Sequence, residues 1–118
     1  MGKINKRKLG SEKELAAAEY LVGQGYQILE HNFFCRTGEI DLIAKDGGYL
    51  VFVEVKYRKD SAFGSPQEAV TPKKQRVIAK TARYYLLKNG YPQNTLCRFD
   101  VVAIAGQEIH LIINAFEG

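Results

Sequence analysis

Two runs of strand-forming residues meet at a pair of glycines, and this arrangement constrains the fold more than any other feature of the chain. The runs cover residues 38–46 and 49–58, and Gly47 and Gly48 stand between them. A two-residue glycine loop between apolar runs is typical of a tight β-hairpin. Such a loop also fixes the register, so each residue of the first strand has a defined partner in the second.

The register of this hairpin predicts a cluster of charged side chains. Counting outward from the glycine loop, Asp41 faces Glu54. Further out, Glu39 faces Lys56. Because side chains alternate along a strand, these four are predicted to project from the same face of the hairpin. The opposite face is predicted to collect the apolar residues Ile40, Leu42, Val53, Val55 and Tyr57.

Two carboxylates that face each other across a hairpin indicate a metal site. Like charges in opposed positions destabilise a sheet, and a divalent cation between Asp41 and Glu54 would relieve their repulsion. Hard cations such as Mg²⁺ or Mn²⁺ bind carboxylate oxygens, and Mg²⁺ keeps several waters. Such an ion polarises a phosphoryl oxygen and activates a bound water. Lys56 beside the ion would orient that water or neutralise the charge that develops during the reaction.

A simpler interpretation of these residues stays open. They would then be exposed polar residues on the wet face of an amphipathic hairpin, with Glu39 and Lys56 forming a cross-strand ion pair. The metal site also depends on the two-residue loop, because a longer loop or a bulge would change the register. We favour the metal site because the register joins Asp41 to the Glu-x-Lys sequence of the second strand.

A second charged surface is predicted on a helix over residues 73–89, which Gly90 and Pro92 end. Its inward face consists of Ile78, Ala82, Tyr85 and Leu86, and the basic stripe beside it consists of Lys73, Arg76, Lys80 and Arg83. Between Glu68 and Asp100 the chain has seven basic residues and no acidic one. Such a block is either a solvated helix face or a surface that meets nucleic-acid phosphates. We favour the nucleic-acid surface for the basic stripe, because the stripe accompanies the carboxylate pair of the hairpin.

Two more polar residues are candidates for the same site. Gln75 lies on the inward face of the helix over residues 73–89, where a buried amide needs hydrogen-bond partners. We predict that its side chain reaches a polar site on the sheet. The alternative is an amide that is hydrogen-bonded to the backbone. Glu14 belongs to a first helix that is predicted to begin near Ser11 and to end near Gly23 or Gly25. Its role is left open between the site, a helix cap and a surface charge. The apolar residues of this helix are Leu15, Ala18, Leu21 and Val22.

The predicted order of elements is α-β-β-β-α-β-β, which suggests a mixed sheet with helices packed on it. The five strands are predicted over residues 26–33, 38–46, 49–58, 97–105 and 107–114. A chain of 118 residues fits one domain, here residues 9–118 after a flexible basic arm at residues 1–8. A short helical piece is expected from Pro66 to Val70. Cys35 and Cys97 are expected to be free thiols.

The hydropathy of the chain argues against a membrane location. No apolar stretch approaches the roughly 20 residues that span a bilayer. The basic N-terminus precedes a charged helix, where a signal peptide needs an apolar stretch. We therefore expect a soluble, cytoplasmic protein without a membrane partner.

These segments resemble the YraN-like family of small, uncharacterised bacterial proteins, which is similar to Holliday-junction resolvases and other PD-(D/E)XK nucleases. The resemblance covers residues from about 9 to 114. The positions that carry it are Gly10, Glu14, Ala17, Tyr20, Leu21, Gly25, Tyr26, residues 38–44, residues 51–56, Arg58, Lys74, Gln75, Arg76 and residues 98–102.

The resemblance implies an α/β fold with a restriction-endonuclease-like, three-layer αβββαβ core, in which helices flank a mixed central sheet. It implies metal ligation by Asp41 and Glu54 and a catalytic role for Lys56. Glu14 matches a first-helix acid that acts on the metal directly or through water. Gln75 resembles a helix residue that follows the core in several branches of these nucleases. Arg58 continues the strand face of Lys56 and is expected to contact phosphate.

The leading hypothesis is Mg²⁺- or Mn²⁺-dependent hydrolysis of phosphodiester bonds in DNA, with branched or otherwise structured DNA as a candidate substrate. The basic stripe would then position the phosphate backbone. A second hypothesis is a non-catalytic nucleic-acid-binding module of the same fold. A third is an adaptor whose basic stripe meets a protein partner. The sequence leaves open the choice between DNA and RNA and whether the chain forms a homodimer, as resolvase-like enzymes often do.

Overall fold

The computed structural model describes the backbone of residues 2–58 and 70–118 and the side chains of residues 12–58 and 70–118. Its elements are α1 (Gly2–Gly23), β1 (Gln27–Cys35), β2 (Gly38–Asp46), β3 (Tyr49–Arg58), α2 (Pro72–Lys88), β4 (Cys97–Ala105) and β5 (Glu108–Phe116). The strands form one sheet in chain order. Only β3 and β4 pair in parallel. The predicted α/β fold with a mixed sheet is confirmed.

Helix α2 lies in the connection between the two parallel strands, which cannot be joined by a tight turn. Thr71 caps it, since its side chain accepts a hydrogen bond from the Lys74 N–H at 3.2 Å, and Pro72 occupies the first turn. The helix matches the predicted range to within one residue at each end. The short helical piece expected from Pro66 lies largely in residues 59–69, outside the described residues.

Helix α1 is longer than expected, because it begins at Gly2 rather than near Ser11. Ser11 therefore lies within the helix and does not cap it. Residues 3–9 are rich in Lys, Arg and Leu, which are strong helix formers, so the helix can start without that cap. The helix ends at Gly23, as predicted. The division between an arm at residues 1–8 and the domain stays a prediction.

The two helices pack on opposite faces of the sheet, which gives three layers compatible with a restriction-endonuclease-like core. The α1-side cluster includes Ala17, Ala18, Leu21, Leu42, Val51, Val53 and Val102. The α2-side cluster includes Phe33, Ile40, Phe52, Ile78, Ala82, Tyr85 and Phe99. Val51, Phe52 and Val53 alternate between the clusters, as strand geometry requires. Of the apolar residues of α1, Ala18 and Leu21 are buried, whereas Leu15 and Val22 are more than half exposed.

The hairpin between β2 and β3 has the predicted register next to the loop. Asp46 pairs with Tyr49 and Ala44 pairs with Val51, which confirms the two-residue glycine loop. Gly47 has a φ of 59°, a left-handed conformation that favours glycine.

The predicted alternation fails at Asp41. The pairing of β2 with β3 runs only as far as Leu42 opposite Val53, and the β1–β2 ladder omits both Asp41 and Asn32. Asn32 has a φ of 52°, which the short polar side chain of Asn tolerates better than most residues do. The strand is therefore irregular where the charged residues begin.

This irregularity corrects the predicted faces of the hairpin. Ile40 packs in the α2-side cluster whereas Leu42 packs in the α1-side cluster, although a regular strand would put them on one face. Glu39, next to Ile40, accordingly turns toward the α1 side. The prediction that Glu39 shares a face with Glu54 and Lys56 is wrong, because it assumed uninterrupted alternation.

Neither helix that the structure describes combines the length and the apolar character needed to cross a lipid bilayer.

Candidate functional site

Glu54 is a nearly buried acid in the centre of β3. Its exposure is 8%, and it follows Phe52 and Val53 in a strand whose other residues at this depth are apolar. Alternation places it on the α2 side, where its Oε2 lies 3.7 Å from Nζ of Lys74. Burial, followed by the neighbouring Asp41 carboxylate, raises the pKa of Glu54 to about 8, while Lys74 and Lys56 lower it. The two lysines thus offset only part of the burial.

Asp41 is held beside Glu54 by the backbone of the partner strand. One of its carboxylate oxygens accepts a hydrogen bond from the Val55 N–H at 2.8 Å. A hydrogen bond between the Asp41 and Glu54 carboxyl groups also contributes to the raised pKa of Glu54. The two acids are therefore neighbours, as predicted, although they do not form a ladder pair.

Glu14 brings a third carboxyl group from α1, next to Asp41. Burial and the Asp41 carboxylate raise the pKa of Glu14, whereas a hydrogen bond with the Asn32 side chain lowers it. Glu39 also raises it. Asp41 thus interacts with Glu54 on one side and with Glu14 on the other.

The donor set fits a hard divalent cation that keeps water ligands. The carboxyl groups of Asp41 and Glu54 lie together in a poorly solvated position. A cation there would offset the loss of hydration and the repulsion that raise the pKa of Glu54. Among residues 12–58 and 70–118, no group of three or more His, Cys, Asp and Glu side chains is arranged to hold an ion alone. A magnesium site needs only one or two carboxylates, with water and substrate phosphate completing the shell.

Lys56 and Arg58 follow Glu54 on β3. Alternation places both on the α2 side, and Lys56 is close enough to Glu54 to lower its pKa. Both side chains are partly exposed. The predicted neighbourhood of Glu54 and Lys56 is thus present, and Arg58 stands at the end of the strand.

The predicted basic stripe of α2 is exposed along its full length, at Lys73, Arg76, Lys80 and Arg83. Ile78, Ala82 and Tyr85 are buried on the other side of the helix, as predicted. Gln75 donates a hydrogen bond from Nε2 to the Val70 carbonyl at 2.9 Å. Gln75 is therefore hydrogen-bonded to the backbone, which was the alternative to reaching a polar site on the sheet.

The sequence interpretation missed Lys74 as a member of the site. It placed the basic stripe through Lys73 and Arg76 and gave Lys74 no position near the acids. The signal was available, because Lys74 precedes the buried Ile78 by four residues and shares its helix face. The helix face that packs on the sheet therefore brings this lysine to Glu54.

The sequence interpretation also counted Arg98 among the basic residues of a polyanion surface, and the structure does not place it there. Arg98 donates two hydrogen bonds to the buried Asp100, at 2.8 and 2.9 Å, and one each to Asp46 and the Tyr26 hydroxyl, both at 2.8 Å. Tyr26 donates to Asp100 at 2.7 Å. Hydrogen bonding to Asp100 raises the pKa of Arg98, and burial raises that of Tyr26. Two carboxylates neutralise this arginine, which links β4 to Asp46 at the end of β2 and to Tyr26, just before β1.

Comparison with known proteins assigns the chain to a family. The model of Uncharacterised protein family UPF0102 matches residues 13–104. A UPF0102 protein of Lachnoclostridium phytofermentans is 57% identical over 114 residues, which cover 97% of each chain. Relatives from Geotalea daltonii (50% identical; 98% of this chain, 94% of the relative) and Vibrio vulnificus (48% identical; 98% and 97%) carry the same family name. The YraN-like resemblance seen in the sequence is confirmed, and the chain belongs to the UPF0102 family.

Proposed function

We propose that this protein is a metal-dependent nuclease of the cytoplasm that hydrolyses phosphodiester bonds, with DNA as the first candidate substrate. One observation carries the proposal: Asp41 and Glu54 lie together in a nearly buried position that favours a bound cation, with Lys56 beside them. The exposed basic stripe of α2, on the same side of the sheet as Glu54, supports a polyanionic substrate.

Each residue of the site has a role that follows from its position. Asp41 and Glu54 would hold Mg²⁺ or Mn²⁺, and Glu14 would act on the ion directly or through water. A bound divalent ion supplies an activated water and a polarised phosphoryl oxygen. Lys56 would orient the attacking water and stabilise negative charge on the phosphoryl group. Gln75 holds the first turn of α2 through Val70.

The basic residues of the α2 side would position the substrate. Lys73, Arg76, Lys80 and Arg83 are exposed at successive turns and would contact phosphates without reading sequence. Arg58, at the end of β3, would contact a phosphate close to the reacting one. Lys74, whose Nζ lies 3.7 Å from Oε2 of Glu54, would compete with the cation for this carboxylate once Glu54 has released its proton.

A cleavage panel tests the proposal. The parent protein, Asp41→Asn and Glu54→Gln would each be incubated with linear, flapped, gapped and four-way DNA, and with matched RNA, in Mg²⁺ and in Mn²⁺. We expect cleavage by the parent and none by either variant. The matched control is Glu12→Gln, which changes an exposed acid of α1 and should cut like the parent. Cleavage by both site variants at the parent rate would refute the mechanism.

A non-catalytic nucleic-acid-binding module is the second candidate. It is favoured by the finding that no three potential ligands among the described side chains can enclose an ion unaided. It predicts salt-sensitive binding in the same panel without cleavage under either ion. Sedimentation during these titrations would also test the homodimer, which stays a prediction.

A further inference from the structure

Tyr84 is an exposed aromatic side chain on the basic helix α2. Its exposure is 45%, although aromatic residues are usually more deeply buried. Its ring lies 6.2 Å from that of Phe33, measured between centroids, and Phe33 packs edge-on against the buried Tyr85 at 5.1 Å. One side of the Tyr84 ring is therefore supported by the core, and the remainder is open to solvent.

Two lysines flank this ring along the helix. Lys80 precedes Tyr84 by one turn and Lys88 follows it by one turn, so the three side chains share one stripe. Nζ of Lys88 lies 5.8 Å from the centroid of the Phe33 ring that supports Tyr84. Helix α2 contains no acidic residue. On its own helix the ring is thus flanked by positive charge alone, although Glu30 of β1 lies close enough to raise the pKa of the neighbouring Tyr85. The positive helix surface suits a polyanion and not an apolar protein segment.

We infer that Tyr84, between Lys80 and Lys88, is a stacking platform for an unpaired base of the nucleic-acid substrate. An aromatic ring with a free face stacks on any base, and flanking lysines bind the adjacent phosphates. The bases of a continuous duplex already stack on one another, so a platform of this kind selects single-stranded, flapped or gapped regions. The inference rests on the proposed function and narrows its substrate class.

The position of the platform relative to the acids is compatible with one substrate strand reaching both. Tyr84 and Lys74, the lysine that contacts Glu54, lie in the same helix. The helical rise puts them about 15 Å apart along its axis. That distance corresponds to roughly four phosphates in a strand that keeps the spacing of a duplex, and to fewer in an extended single strand. The unpaired base would accordingly lie a few nucleotides from the bond that is cut.

Fluorescence provides a direct test because the chain contains no tryptophan. Tyr84→Trp introduces a single reporter, to be titrated without divalent ions with an oligo-dT single strand and with a blunt duplex of equal phosphate concentration. We expect quenching by the single strand and little by the duplex. Val22→Trp, an exposed position on α1 on the other side of the sheet, is the matched control and should respond to neither.

Affinity measurements on two further variants complete the test. Tyr84→Ala and Tyr84→Leu should both weaken single-strand binding about tenfold, while duplex binding stays within about twofold of the parent. Leu keeps an apolar cover over Phe33, so its effect separates stacking from folding. Tyr84→Phe should bind like the parent, because the hydroxyl is not needed for stacking.

The outcomes are distinct for the two proposals. Equal quenching by both nucleic acids, equal quenching at the two reporter positions, or no quenching at all would overturn the stacking platform. The same holds if Tyr84→Leu binds the single strand as tightly as the parent. Because these titrations contain no divalent ion, absence of cleavage in the metal-containing panel would refute the nuclease and leave this inference standing.

Discussion

At the scale of single residues, Glu54 shows how an ionisable group can destabilise the metal-free protein and still be explained by a function. The Glu54 carboxyl group, on the same face of the sheet as Phe52 and Val101, loses hydration, and the neighbouring Asp41 adds repulsion. Neither effect helps the chain to fold. Both effects would be relieved by a cation, which is why we assign the pair to a metal site.

The raised pKa of Glu54 predicts an unusual dependence of stability on pH. The native state holds the proton up to about pH 8, whereas the unfolded chain releases it near 4.5. The native state therefore binds more protons in this window, and the free energy of unfolding must fall as pH rises through it. We expect the metal-free protein to lose on the order of a few kcal/mol of stability as pH rises between these limits, measured by urea denaturation at a series of pH values.

Two variants show whether Glu54 causes this loss. Glu54→Gln removes the titrating group and should flatten the curve between pH 4.5 and 8. Glu12→Gln, on the exposed side of α1, should keep the parent slope. If the Glu54 variant keeps that slope as well, the proton is held elsewhere and the burial argument fails.

At the scale of elements, the hairpin shows where the sequence was sufficient. The glycine loop fixed the register from Asp46 and Tyr49 to Leu42 and Val53, because a tight turn leaves only one way to pair the strands. Asp41 lies just beyond that range. The irregularity there depends on the left-handed Asn32 of another strand, and no count along the hairpin includes it.

The polar network of Arg98 escaped prediction for a related reason. Arg98 and Asp100 are two residues apart in β4 and share a face, which was a usable signal for a pair. The contributions of Tyr26 and Asp46 depend on which strands are neighbours in space. A block of basic residues along the chain could not reveal that Arg98 is neutralised by Asp100 of its own strand together with Asp46 of β2.

The contact between β2 and α2 gives a prediction at this scale. Gly38 begins β2 under α2, and a Cβ added there would lie 2.6 Å from Cγ1 of Val77 and 3.2 Å from Oγ1 of Thr81. Gly38 also has a φ of 153°. We expect Gly38→Ala to destabilise the fold by about 1–3 kcal/mol, measured by urea denaturation. The Val77 side chain or its helix must move, and the positive φ strains a residue that has a Cβ.

A double variant separates the two sources of that cost. Val77→Ala removes the atom closest to the added Cβ. The double variant should therefore lose less stability than the sum of the losses of the two single variants. Gly48→Ala, in the exposed hairpin loop with no neighbour within 4 Å, is the matched glycine control and should cost little. Strict additivity of the two changes would mean that backbone strain, not the steric contact, limits this position.

At the scale of the whole molecule, the sequence predicted the layers better than the site. The order of strands and the amphipathic helix α2 were enough to expect helices on a mixed sheet, because each apolar face needs a partner. Which polar groups meet depends on the exact packing of α1 and α2. Glu14 and Lys74 reach the acids of β2 and β3 from these two helices, on opposite faces of the sheet.

The distribution of charge over the molecule, rather than its net value of +4, should control binding to nucleic acid. Every lysine or arginine that neutralises a phosphate releases counterions, so the logarithm of the binding constant falls linearly with the logarithm of salt concentration. Replacing one such residue lowers the steepness of that line by about 0.9 for duplex DNA and about 0.7 for single strands.

We expect this decrease in steepness for Lys80→Ala, measured by fluorescence anisotropy in metal-free buffer from low to high NaCl. Lys45→Ala removes the same charge from an exposed position on β2 rather than on α2, and should leave the steepness unchanged. Equal changes in the two variants would mean that the protein attracts DNA through its net charge alone, so the basic face of α2 would have no special part in binding.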